Sequence, residues 1–271
     1  IRGRKVIFDR PRIMGILNLT PDSFSDGGKW LNPSEAIPYA LAMQLAGADI
    51  IDIGGESTRP GARAVPLQEE LDRVIPVIEQ LAPMLSVPVS IDTSKPEVML
   101  EAVSAGAGMI NDVYALRQPG ALKAAADLAV PVCLMHMLGN PRVMQDKPVY
   151  ESVATEVQAF LLERAKQCET GGVAKKNIVL DPGFGFGKTF EQNIELFHAL
   201  SDLVSSGYPM LVGVSRKAMI GQLTGRDMDD RVAGSITAAV MAALQGAAII
   251  RVHDVAATRD ALNVATALWH S

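Results

Sequence analysis

Most features that assign a protein to a class at a glance are missing from this 271-residue chain. Its two cysteines, Cys133 and Cys168, form no motif, and no Cys or His are paired at zinc spacing, so neither a disulfide framework nor a structural zinc is expected. Cys133 sits inside an apolar run and reads as a buried thiol, which suits a reducing, cytoplasmic location. An excess of base is missing too: 25 Lys and Arg against 30 Asp and Glu leave a net charge of −5, which argues against nucleic acid as a partner. No signal-peptide pattern is visible, because Arg2, Arg4, Lys5, Asp9 and Arg10 interrupt the start. The uncharged stretch Val232–Ile250 is broken by Ser235, Thr237, Gln245 and Gly246. It reads as a packed helix ending at Gln245–Gly246 and then a buried strand, so no membrane is expected as partner. No Ser-His-Asp order and no Cys nucleophile with a His partner stand out.

What the chain does have is eight short apolar runs: Ile13–Leu17, Asp49–Ile53, Val87–Ile91, Met109–Ile110, Val130–Met135, Ile178–Leu180, Met210–Val214 and Ala247–Ile250. They stop, in order, at Asn18, Gly54 with Glu56, Asp92, Asn111, His136, Asp181, Ser215 and Arg251. Helical patterns fill most of the gaps. Strand, loop and helix repeated eight times indicate a (β/α)8 TIM barrel, because parallel strands need crossover helices. In that architecture the C-terminal strand ends share one mouth, where the active site lies, so the residues that stop the runs converge. No linker or low-complexity tract divides the sequence, and 1–271 reads as one domain with a short N-terminal hairpin at Val6–Phe8. Ser94–Glu97, Thr189–Gln192 and Asn32–Glu35 resemble helix starts with capping boxes. Gly47, Gly106, Gly171–Gly172, Gly207 and Gly246 mark helix ends, and Pro76 predicts a kink or break in the second helix.

The mouth divides into two chemistries. Asp92, Asn111 and Asp181 can frame a flat, polar heterocycle, since a carboxylate accepts two N–H bonds from an amino-pyrimidine edge and an amide both donates and accepts. Each of the three also reads as a cap or turn residue at a strand end. The other half seeks anions. Arg251 and His253 follow the eighth strand, the usual phosphate position in a barrel. Ser215–Arg216–Lys217 leads into a helix N-terminus, and Asn18 offers an oxygen to a hard cation such as Mg²⁺. Gly183–Gly187 alternates glycine without dinucleotide spacing and reads as a tight turn beside Asp181. Two polar, Gly/Pro-rich loops, Thr20–Lys29 with Phe24 and Ser57–Arg63 with Arg59, read as lids over the mouth.

These motifs resemble the dihydropteroate synthase family over essentially the whole chain. The matching stretches are GILNLTPDSFSDGG at 15–28, DIGGESTRPG at 52–61, SIDT at 90–93, NDV at 111–113 and LMHM at 134–137. They continue with LDPG at 180–183, GFGK at 185–188, SRK at 215–217 and RVHD at 251–254. Leu138 stands where Gln is common, and Phe184 where a smaller apolar residue is common. The resemblance implies a transferase of folate biosynthesis that joins (7,8-dihydropterin-6-yl)methyl diphosphate to 4-aminobenzoate and releases diphosphate. It implies that Asp92, Asn111, Asp181 and Lys217 hold the pterin, and that Arg251 and His253 with Asn18 and its Mg²⁺ hold the diphosphate. Thr58, Arg59, Pro60, Phe186 and Ser215, with Phe24 on the first loop, would shape the aminobenzoate side. The family's habit of pairing through late helices, together with Ala238, Ala239, Ala242 and Ala243, suggests a homodimer. Rival readings are a pterin-binding methyltransferase on the same barrel and a non-catalytic pterin-binding protein.

Overall fold

The computed structural model describes residues 8–20, 33–58, 62–139 and 148–269. Among them, strands alternate with helices: β1 (Arg12–Asn18), α1 (Pro33–Leu45), β2 (Ile50–Gly54), α2 (Leu67–Met84), β3 (Val89–Asp92), α3 (Pro96–Ala105), β4 (Met109–Asp112) and α4 (Ala121–Leu128). The second half follows with β5 (Val132–Met135), α5 (Val153–Thr170), β6 (Ile178–Asp181), α6 (Phe190–His198), α7 (Leu200–Val204), β7 (Leu211–Val212), α8 (Ala218–Thr224), α9 (Val232–Leu244), β8 (Ile249–Val252) and α10 (Val255–Trp269). The strands run in the order β6-β5-β4-β3-β2-β1-β8-β7. All the pairings are parallel, and a Leu180–Met210 bridge joins β6 to β7 and closes the ring. This is a (β/α)8 TIM barrel.

Strand side chains alternate faces, so each strand sends one set of residues outward to the helices and one inward. The outward set, including Ile13, Ile51, Ile91, Ile110, Leu134, Leu180, Val212 and Ile250, merges with helix residues into the main core. The inward set forms a separate plug of Met14, Ile50, Met109, Cys133, Val179, Leu211 and Ile249. Two residues beyond the plug, on the same inward face, stand Asp52, Asn111, Asp181 and Arg251. A period of two therefore carries an apolar floor directly into a charged mouth.

The connections follow local chemistry, with some departures from the sequence reading. Thr189 caps α6 in a complete capping box with Gln192. At α3 the expected Ser94 box does not form: Pro96 opens the helix, and the Thr93 hydroxyl accepts the Lys95 amide at 3.3 Å. Helix α2 runs unbroken through Pro76, which lies on its exposed face, where water can satisfy the carbonyl left without an amide partner. Gly47, Gly106, Gly172, Gly207 and Gly246 all adopt positive φ just past helix ends. Val6 of the expected hairpin and Asn32 of the first capping motif lie outside the described residues, as do residues 21–30 with Phe24 and Trp30, and Arg59 and Pro60.

Asp49, just before β2, ties the bottom of the barrel together. Its carboxylate accepts from Ile13 N at 2.9 Å, from Arg10 at 2.6 and 3.1 Å, from Arg12 at 3.3 Å and from Arg259 on α10. Burial raises its pKa, but the bonds to Arg10 and Ile13 and the charge of Arg259 outweigh that, so the carboxyl titrates below its usual value of 3.8. Asp49→Asn is expected to cost about 1–2 kcal/mol at neutral pH, a range reduced for the exposed Arg10. A depressed carboxyl stabilises the fold above its unfolded pKa and stops doing so as pH falls through the folded value. Thermal denaturation should therefore show a gap between wild type and variant at pH 7 that closes below pH 3.8.

Candidate active site

Register lines up the pterin-side candidates. Asn18 pairs with Gly54, Gly54 with Asp92 and Asp92 with Asn111, a continuous row across β1 to β4. Gly54 is the gap in that row: a Cβ there would stand 3.4 Å from Asn18 Oδ1 and 3.5 Å from Asp92 Cβ. Its lack of a side chain leaves the Asn18 amide and the Asp92 carboxylate facing a common space. Asp181, at the end of β6, and Asn111 are both buried.

A single guanidinium ties this half together. Arg251 donates Nε to Asp52 Oδ2 at 2.7 Å and Nη2 to Asp92 Oδ2 at 2.8 Å, and Asn111 Nδ2 donates to the same Asp52 oxygen at 3.0 Å. Burial pushes the Asp92 carboxyl up to about 7; the Arg251 charge opposes this, and Asp52 adds to it. Asp181 is likewise raised by burial, against the pull of Lys217 and the Gly183 amide, which donates to Asp181 Oδ1 at 2.7 Å. Asp92 is thus held where a ligand's N–H groups, or a cation, decide its charge.

The opposite wall is cationic and aromatic. Lys217 donates to the Phe184 carbonyl, and its ammonium lies 4.7 Å from the Phe186 ring centroid. Burial lowers the lysine to about 8, although Asp181 works to keep it charged. Ser215 and His253 share a 3.0 Å contact between Oγ and Nδ1, which joins the β7 and β8 loops. Arg216 forks onto Asp254 at 2.7 and 3.1 Å, so it serves the wall and is not a loose surface charge. Phe186 and Tyr114 pack on Val113, Met135 and Met137, an apolar flank for a flat ring.

Lys188 fastens the glycine turn that carries Phe184 and Phe186. Its buried ammonium contacts Gly183 O at 2.8 Å, Phe186 O at 3.0 Å and His136 Nδ1 at 3.0 Å. Burial pushes His136 down to about 3, with the Lys188 charge adding to the shift, so the ring is neutral and Nδ1 accepts. Gly183, Gly185 and Gly187 all have positive φ, between 63° and 80°. At Gly183 a Cβ would also fall 1.9 Å from the His136 carbonyl oxygen.

Residues 14–253 match the pterin binding enzyme family. The dihydropteroate synthase of Escherichia coli K12 is 51% identical over 266 residues, 98% of this chain and 94% of that protein. The chain belongs to the dihydropteroate synthase family. Among solved structures, the Yersinia pestis dihydropteroate synthase in complex with a sulfonamide drug superposes with a TM-score of 0.97 at 51% identity, covering 100% of this chain and 98% of that one. The Xanthomonas albilineans dihydropteroate synthase in complex with 7,8-dihydropteroate gives 0.90 at 52% identity, covering 100% and 98%.

In this dihydropteroate synthase fold, Asn18, Asp92, Asn111, Asp181, Ser215, Lys217, Arg251 and His253 all stand at the C-terminal ends of the strands. Thr58 and Phe186 border the same mouth on the loops after β2 and β6. Ser215–Arg216–Lys217 leads into helix α8, which starts at Ala218 with Lys217 as its N-cap, so Ser215 belongs to the loop. Of the two departures from the family pattern, Phe184 is buried against Phe197, ring centroids 5.7 Å apart, and Leu138 is exposed at the mouth. Sequence reasoning assigned no role to Asp52 or Lys188. Asp52 was hidden because it lies inside an apolar run; counting by twos from Ile50 would have turned it inward. Lys188 carried no such signal, since its role depends on carbonyls brought to it by the turn. Gly183→Ala combines a left-handed backbone with a backbone clash and should cost about 3 kcal/mol or more. A melting temperature within a degree or two of wild type would show that the turn tolerates the added carbon.

Proposed function

We propose that the chain joins (7,8-dihydropterin-6-yl)methyl diphosphate to 4-aminobenzoate, as its family membership implies, and that one pterin-binding domain spanning 1–271 does so with no covalent nucleophile. The observation that carries the reading is the inward set of Asp92, Asn111 and Asp181, tied together through Arg251 and Asp52 and standing at one mouth with Lys217. The acceptors suit the N–H edge of a pterin, and the apolar flank of Val113, Met135 and Phe186 suits its face. Lys217 would touch the ring.

Arg251 and His253 would meet the diphosphate. Two of the five guanidinium donors are used by Asp52 and Asp92, and the charge itself favours an anionic leaving group. Among the described residues no cluster of three or more His, Cys, Asp or Glu suits a metal. Mg²⁺ takes most of its oxygens from substrate phosphate and water and needs only one or two from protein. Asn18 Oδ1, open toward the gap at Gly54, would be that oxygen, and the metal would supply charge neutralisation to the departing diphosphate. The methylene C–O bond then breaks with its electron pair leaving on diphosphate, and the pterin ring delocalises the cationic carbon. The amine of 4-aminobenzoate forms the C–N bond and gives up a proton. Thr58, Arg59, Pro60, Phe186 and Ser215, with Phe24 from the first loop, would bound the aminobenzoate side.

No helix among the described residues is long and apolar enough to cross a membrane, and with two buried free thiols we place the enzyme in the cytoplasm. We also propose a homodimer. Ala239 and Ala242 are buried in the chain's own core, so the surface for pairing is the exposed apolar set on the neighbouring late helices: Met241 and Leu244 on α9, Val264 and Leu268 on α10.

Two measurements test these assignments. Asp181→Asn keeps an acceptor for Gly183 N but sets an amide N–H against a ligand donor, which should weaken pterin binding by about 1–3 kcal/mol. Calorimetric titration giving unchanged affinity in a folded variant would remove Asp181 from the site. For the pairing, sedimentation at micromolar concentration should give a dimer that Leu268→Lys converts to monomer; a wild-type monomer refutes it.

A further inference from the structure

The loop that leaves β2 is closed at its base by one carboxylate. Glu56 Oε1 accepts the amide of Val65 at 3.0 Å, bridging the two ends of the segment between them. Its other oxygen, Oε2, accepts from Lys95 Nζ at 2.5 Å. The same ammonium donates to Glu70 Oε2 on α2. Glu70 is fully buried, and the hydroxyl of Thr93, at the end of β3, donates to its Oε1 at 2.6 Å. One residue before Glu56, Gly55 presses on α2: a Cβ there would stand 2.7 Å from Val74, and Arg73 donates to its carbonyl at 2.6 Å. Burial alone would lower the Lys95 pKa, but the two carboxylates outweigh it and hold the ammonium above its ordinary range.

This cluster lies beside the mouth without belonging to the pterin row. Glu56, Lys95 and Thr93 line a cavity of about 640 Å³ together with Thr58, Asp92 and Tyr114. Thr58 is two residues from Glu56, so a shift of the Glu56 carboxylate moves the anchor of the aminobenzoate-side loop. The pterin row, by contrast, is fixed by strand register and by Arg251.

We infer that Lys95 is a positioning residue for the second substrate: shared between Glu56 and the buried Glu70, it clamps the base of the β2 loop to α2 and sets the binding of 4-aminobenzoate through Glu56 and that loop. This rests on the reading that Thr58 and its loop face aminobenzoate. A buried ion pair that only supported the fold would affect both substrates alike, whereas a clamp at one loop base affects one.

The test is steady-state kinetics of Lys95→Gln with both substrates varied, with calorimetry for a pterin ligand and hydrogen exchange at the Val65 amide. A misplaced loop should raise KM for 4-aminobenzoate about tenfold while pterin affinity stays within about twofold. Exchange at Val65 should quicken by about tenfold as the Glu56 acceptor is released. Lys95→Arg, which keeps the charge between the two carboxylates, should restore most of the binding. Glu56→Gln keeps an acceptor for Val65 but loses the charge; it should shift the same KM by less, and it decides the matter if Lys95→Gln does not fold. An unchanged aminobenzoate KM, or equal rises for both substrates, overturns the clamp. Thr58→Ala separates the two ideas. If it raises aminobenzoate KM while the Lys95 and Glu56 variants do not, the clamp is wrong and the loop assignment stands. If Thr58→Ala leaves that KM unchanged, the loop assignment itself is wrong, even if the Val65 amide loses protection in Lys95→Gln.

Discussion

The Arg251 guanidinium, held between Asp52 and Asp92, is the interaction on which the rest of the mouth depends. It links β8 to β2 and β3, strands 199 and 159 residues away in sequence, through bonds of 2.7 and 2.8 Å. Without that cation the Asp92 carboxyl, already raised by burial and by the neighbouring Asp52, would lose the charge that opposes the rise. With it, Asp52 can also hold Asn111, which completes the polar row. Direct pairing of β8 with β1 makes this possible, and the inward face of the barrel brings Arg251 within reach of the second and third strands.

A site built this way is pre-organised but not neutralised. Asp92 near 7 and Lys217 near 8 sit where small changes in surroundings change their charge. A substrate that offers an N–H edge to the carboxylates and an anionic tail to the cations completes both halves together. Fixed dipoles and charges of this kind stabilise developing charge without reorganising at the moment of reaction, which is what the proposed departure of diphosphate asks of the site.

The two walls are made rigid by different means. The pterin row sits on strands whose register is set by backbone pairing above an apolar plug. The aromatic wall stands on a turn with three left-handed glycines, pinned by one buried lysine. Among its described residues, the β2 loop is tied by side chains: Glu56 bridges to Val65 N and Lys95, and Arg63 pairs with Glu69.

How much of this was legible beforehand differs from residue to residue. Eight apolar runs, with polar stops, specify a parallel barrel because strand burial and crossover helices both leave local patterns, and the stops placed Asn18, Asp92, Asn111, Asp181 and Arg251 at one mouth. The Thr189 cap and the helix-ending glycines were readable for the same reason: their geometry is settled within a few residues. Asp52 escaped because an aspartate inside an apolar run shows its direction only once the strand's inward face is known. The Ser94 box failed because Pro96 and Thr93 settled that helix start in their own way. The roles of Lys188, Glu56, Lys95 and Glu70 could not be read at all, since each depends on partners between 23 and 52 residues away or on carbonyls that a folded turn presents. Local chemistry, then, determined the architecture and most of the residues at the mouth. Only the tertiary structure decided which charges meet at the mouth, because the partners of Arg251 and Lys95 lie on other strands and helices and not among their neighbours in the chain.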